Sequence, residues 1–121
     1  MALKKMFAPA LLVAVVAFAS CNKDSGNNTY DCTGVTSTYT TDVKPLVDNS
    51  CAFSGCHNAA SAASGFDLST YGSVKNAAAS AKFMGSMEHN SRYEAMPRGG
   101  TKLSDANLKL IGCWINNGMP Q

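Results

Sequence analysis

Cys51-Ala52-Phe53-Ser54-Gly55-Cys56-His57 is the stretch whose reading decides the rest of the chain. Two thiols followed directly by an imidazole form the pattern of covalent haem attachment. The sulfurs can add to the two vinyl groups, and the histidine beside the second sulfur can bind iron. Four residues separate the cysteines here, where the usual form has two, so the loop must bulge. Gly55, just before Cys56, is free to take the positive φ that such a bulge needs. The same residues admit two other readings. Cys51 and Cys56 could close a small disulfide, or they could join His57 and His89 in a tetrahedral zinc set.

Immediately upstream, from Thr40 to Asn49, the pattern predicts a short helix with Val43, Leu46 and Val47 on one face and Thr41 or Asp42 as its cap. Pro45 is tolerable only in or next to the first turn, where backbone donors have no helical partner. This helix runs straight into Cys51. Downstream, Asn58 to Gly65 is built of small residues that let backbone lie close to a flat ring, although a plain surface loop has the same composition. Ser69 or Thr70 then caps a weakly amphipathic segment from Tyr71 to Lys82, with Phe66, Leu68, Tyr71 and Val74 turned to the core or to one edge of a cofactor.

Residues Phe83 to Lys102 read as a loop punctuated by Gly85, Pro97, Gly99 and Gly100, and they carry four candidate iron ligands: Met84, Met87, His89 and Met96. Met96 stands out because Pro97 follows it. A proline biases the preceding residue towards extended geometry, which suits a side chain reaching off a loop. His89 is the competitor, since a neutral imidazole binds iron well and would give a bis-histidine site. The last segment predicts a helix capped by Ser104, with Asp105 at its positive end and Leu108, Ile111 and Ile115 as the apolar stripe, widened by Leu110 and Trp114. Gly118 ends it and Pro120 follows. Gly112 in mid-helix costs about 1 kcal/mol against alanine, which predicts a close crossing by another element, the helix before Cys51 being the expected one.

The amino terminus carries an address. Lys4 and Lys5 precede an apolar run from Met6 to Ala19, and Phe18-Ala19-Ser20-Cys21 places a cysteine just after small residues. A basic start, a short hydrophobic run and small residues before a cut form a secretory signal. The run falls short of the roughly 20 apolar residues wanted for a permanent span. The cysteine makes it resemble a lipoprotein signal, with residues 1–20 removed and Cys21 acylated. Residues 21–30 then serve as a flexible tether, and 31–121 as the domain. Loss of the two leader lysines leaves eight Lys plus Arg against eight Asp plus Glu, so no basic face for nucleic acid is implied.

Five cysteines remain to be shared out. With Cys21 given to lipid and Cys51 with Cys56 to haem, Cys32 and Cys113 are left. In an exported chain those two can pair, stapling the start of the domain to its last helix. The other reading of Cys113 is a free thiol buried on a core helix. A domain this small buries only a modest core, so a disulfide or a covalent cofactor would be a useful stabiliser.

Taken in order, a short helix, two cysteines with histidine, Gly65-Phe66-Asp67-Leu68-Ser69-Thr70-Tyr71, Met96-Pro97 with two glycines, a Ser104-Asp105 cap and Cys113-Trp114-Ile115-Asn116-Asn117-Gly118 resemble a known family. They look like the small c-type cytochrome lipoproteins of Bacteroidetes-like bacteria, similar to planctomycete-type and class I cytochrome c domains, over roughly residues 30 to 121. The resemblance implies an all-α fold in which the first and last helices cross, with long loops around one haem. It implies haem c held through Cys51 and Cys56, His57 as proximal ligand and Met96 as distal ligand. The implied function is an electron carrier rather than an enzyme, exchanging electrons with redox partner proteins and lipid-anchored to the periplasmic face or outer-membrane surface of a bacterial envelope. Two other functions remain open: a haem site with a displaceable distal ligand, acting as sensor or peroxidase, and a haem-free, disulfide-stabilised surface module.

Overall fold

A computed structural model describes residues 30–121. The leader (1–20), the acylation candidate Cys21 and the tether up to residue 29 lie outside the described residues. Tyr30, the last residue assigned to the tether, belongs to the domain instead. Its ring packs on the apolar cluster around Leu108 and Ile111, and its hydroxyl donates to Glu88 Oε1 at 2.8 Å.

The described residues are helical and contain no strand. The chain enters through a π-helical turn, Tyr39–Val43, which runs directly into α1, Lys44–Ser50. The cap is Thr38, upstream of the expected Thr41 or Asp42. Its hydroxyl accepts from the Thr41 amide at 3.4 Å, and Asp42 returns the favour by accepting from the Thr38 amide at 2.8 Å. Pro45 does fall in the first turn of α1. Val43 and Val47 are buried and Leu46 half-buried, so the expected apolar face holds.

Thr70 caps α2, Tyr71–Ala78, with a reciprocal box: its side chain accepts from the Ser73 amide while Ser73 Oγ accepts from the Thr70 amide. The expected segment to Lys82 stops short here. Ser80 caps a separate helix, α3, Ala81–Met87, which occupies the first part of the stretch read as loop. The last helix, α4, runs Asp105–Asn116 from the Ser104 cap. It closes where expected: Gly118 donates to Ile115 and Met119 to Trp114, satisfying the last turn's carbonyls.

Two apolar clusters hold these elements together. One gathers Tyr39, Val43, Val47, Leu68, Val74, Ala78 and Trp114; the other gathers Met87, Leu103, Leu108 and Ile111. α4 packs chiefly against the π-helical turn and α3, and not against α1, the partner expected for it. Backbone and side-chain bonds fasten the entry turn, α2 and α4 to the last residues of the chain. Tyr39 N–H and Trp114 Nε1–H both donate to the Pro120 carbonyl, at 2.9 and 2.7 Å, and Tyr71 donates to the Met119 carbonyl at 2.8 Å. Cys32 and Cys113 form a disulfide across 81 residues of sequence, as the cysteine count suggested. Among the described residues no helix is long and apolar enough to cross a membrane.

Candidate functional site

α1 ends on Cys51, and the amides of Cys51 and Ala52 both donate to the Val47 carbonyl at 2.8 Å. The loop that follows is closed by backbone bonds. His57 donates to the Cys51 carbonyl at 3.0 Å, bridging both cysteines, and Cys56 donates to Phe53 at 3.0 Å. Gly55 takes φ +83°, the positive value that the four-residue bulge was expected to need, and its amide donates to Ser61 Oγ at 2.9 Å. Two further bonds dock the loop on the downstream chain: Ala63 to the Cys56 carbonyl at 2.9 Å, and Leu68 to the His57 carbonyl at 2.7 Å.

Both loop cysteines are free and half-buried, so the disulfide reading of this pair is not the arrangement found. Burial pushes the Cys51 thiol up to about 11, and the neighbouring Cys56 adds to the shift. Cys51 is therefore a protonated thiol at neutral pH. His57 has a fixed tautomer. Its Nδ1–H donates to the Phe66 carbonyl at 2.9 Å, which leaves the Nε2 lone pair as the free donor atom of the ring. The Phe66 ring stands edge-on to the imidazole, with centroids 6.4 Å apart.

Cys51, His57 and Met96 line one cleft of about 180 Å³. Its walls also include Leu68, Phe83 and Met87, with Phe66 at the more exposed side. Lys82 and Glu94 are the charged side chains on its lining, and both are exposed; Asn76 and Ser86 add uncharged polar groups to a mainly apolar wall. Cys56 does not line the cleft; it sits one residue behind His57, half-buried.

The four candidate ligands of the later segment separate clearly. Met96 reaches the cleft from the loop after α3, with a cis bond to Pro97, and its amide donates to the Ser86 carbonyl at 3.0 Å. Met87 also reaches the cleft but is buried in the second apolar cluster. Met84 packs against that cluster and does not line the cleft. His89 is not on the cleft either: its Nε2–H donates to the Met96 carbonyl at 3.2 Å. Among the described residues no three His, Cys, Asp or Glu side chains come together as a metal site, so the zinc set of Cys51, Cys56, His57 and His89 is not assembled.

Sequence reasoning missed Phe83 as a cleft wall, because it sits on a helix that was not expected. It also missed the Phe66 carbonyl, the group that orients His57. A main-chain oxygen leaves no mark in sequence. No family model matches the chain, and no curated protein or solved structure matches it either.

Proposed function

We propose that residues 30–121 form a monohaem c-type cytochrome domain of class I character, and that the protein is a lipid-anchored electron carrier. The observation that carries this reading is the convergence of Cys51, His57 and Met96 on one apolar cleft, with the His57 tautomer already set so that Nε2 is the free nitrogen. Haem, when bound, supplies a one-electron iron couple whose potential a methionine opposite a histidine raises.

The residues present fit that group. Cys51 on the cleft and Cys56 just behind it are unpaired thiols in the bonded loop and would hold it covalently, while His57 and Met96 would bind its iron. The Phe66 carbonyl holds the imidazole ring in place and leaves Nε2 as the nitrogen free to bind. Leu68, Phe83 and Met87 exclude water from the side where the ligands meet. Sites that take up whole drug-sized molecules run to about 300–1,000 Å³. The cleft is smaller than that, so as it stands it would seat only part of a macrocycle.

The test is to express the full chain alongside a cytochrome c maturation system and weigh the mature protein. The expected result is one added haem, a red protein with a pyridine haemochrome spectrum, and loss of both in Cys51→Ala/Cys56→Ala. An unmodified mass would leave only an exported, disulfide-bonded helical module. A spectrum that changes at once on adding carbon monoxide to the reduced protein would favour a sensor or peroxidase over a carrier.

A further inference from the structure

Met96 is not carried by a free loop. Its peptide is held on both sides: the Met96 amide donates to Ser86 O at 3.0 Å, and the Met96 carbonyl accepts from His89 Nε2–H at 3.2 Å. Ser86 lies in α3, and the same Ser86 carbonyl also accepts from the His89 amide at 3.2 Å. The chain from His89 to Met96 is thus a closed ring whose two ends meet at one carbonyl of α3, with the imidazole spanning the gap. Within the ring, Asn90 donates to the Gly85 carbonyl at 2.8 Å and Tyr93 to Asn90 at 2.9 Å.

His89 takes φ +56°, in the left-handed region that non-glycine residues adopt at a cost. That conformation, directly after the last residue of the α3 cap, turns the ring back over the Met96 peptide. A strained backbone at a residue whose side chain clamps a candidate ligand calls for a role.

Resting on the haem reading above, we propose that His89 is a positioning residue for Met96 and not an iron ligand. Its imidazole fixes the Met96 carbonyl, so the methionine side chain is presented to the cleft in one register. Loss of the clamp frees the loop at one end and lets Met96 leave more often.

The test uses the full chain, matured with haem, as wild type, His89→Gly and His89→Asn. Glycine accepts positive φ without strain and removes only the ring; asparagine tolerates the same backbone and keeps an N–H donor. Covalent haem is first checked by mass in all three. The readouts are the far-red sulfur-to-iron band of the oxidised protein, the reduction potential and the rate at which added cyanide displaces Met96. One neutral hydrogen bond is of the size that shifts a loop-opening equilibrium about fivefold. His89→Gly should therefore bind cyanide about fivefold faster, with a weakened band and a lower potential, and His89→Asn should recover most of each.

Equal rates and bands in wild type and His89→Gly would overturn the assignment. So would a wild type without the far-red band whose Soret spectrum shifts in both variants, since His89 would then itself be on the iron. A wild type without haem would refute the proposed function, and this assignment with it.

Discussion

The disulfide between Cys32 and Cys113 offers the sharpest stability test. Replacing both with alanine removes the covalent tie. It removes the Asn116 Nδ2–H contact to Cys32 Sγ but leaves two neighbouring bonds: Asn117 Nδ2–H still donates to the Val35 carbonyl at 3.0 Å, and Ser37 to the Leu110 carbonyl at 3.2 Å. The start of the domain is therefore still held to α4 by other contacts, and truncation of the fully buried Cys113 adds a packing loss to the larger effect on the unfolded chain. A closed loop of 81 residues lowers the unfolded chain's entropy enough to contribute about 4.5 kcal/mol at room temperature. At roughly 0.05–0.15 kcal/mol per residue, residues 30–121 carry about 5–14 kcal/mol in all, so this one bond is a large part of the total. Urea unfolding of the unreduced wild type and of Cys32→Ala/Cys113→Ala should show the lower midpoint. The variant's m-value should also rise, because its unfolded chain is no longer cross-linked. Reductant added to the wild type should reproduce most of the loss. A difference under about 1 kcal/mol, or alkylation of Cys32 and Cys113 in unreduced protein, would refute the reasoning.

Three further perturbations probe the site. Met96→Ala should abolish the far-red sulfur-to-iron band and lower the potential, measured by redox titration; retention of both moves the distal ligand elsewhere, with Met87 next in line on the cleft. In protein made without haem, the Cys51 thiol sits at about 11 against an ordinary 9.0, so the native state holds that proton more tightly. The resulting stability is whole below pH 9 and is lost between pH 9 and 11, about 3 kcal/mol in total. Unfolding curves across that range should lose the step in Cys51→Ala and after haem attachment. Gly85→Ala would drive a methyl into the Tyr93 ring that lies against the α3 backbone, costing about 1–3 kcal/mol by thermal melting, and Tyr93→Ala should relieve it.

What could be read from the chain alone follows a physical line. α4 was legible because cap, dipole charge, apolar stripe and terminal glycine all agree over twelve residues. The Gly55 bulge was legible because a spacing constraint left one residue able to meet it. α3 was not, since its seven residues include Gly85 and show no period of their own, and its cap Ser80 follows an alanine run that looks continuous with α2. Packing of Met87 into the second cluster, a tertiary effect, makes it helical. The entry turn was displaced to Thr38 because Asp42 bonds back to the Thr38 amide, a pairing that the apolar pattern does not reveal. In the candidate site, the loop from Cys51 to His57 and the Met96-Pro97 turn drew attention through their side-chain chemistry. That Met96 lines the cleft while His89 does not could not be read from the chain, because it depends on how a loop closes on one carbonyl of α3.

On the proposed haem reading, the loop that begins at Cys51 also explains why a covalent link would suit this position. Between Cys51 and Ser69 only Leu68 is buried, so the loop contributes almost no apolar surface to either cluster. Its order rests on backbone bonds at Cys51, Cys56, His57, Ala63 and Leu68, each of which contributes about 1 kcal/mol net in competition with water. A flat ligand seated on such a loop by contact alone would be only as fixed as the loop. Thioethers from Cys51 and Cys56 would tie the loop to the ligand itself, and the His57 to Phe66 bond would then join both to the segment leading into α2. In that arrangement the disulfide fastens α4 to the start of the domain, and the thioethers would fasten the loop that the hydrophobic core leaves loose.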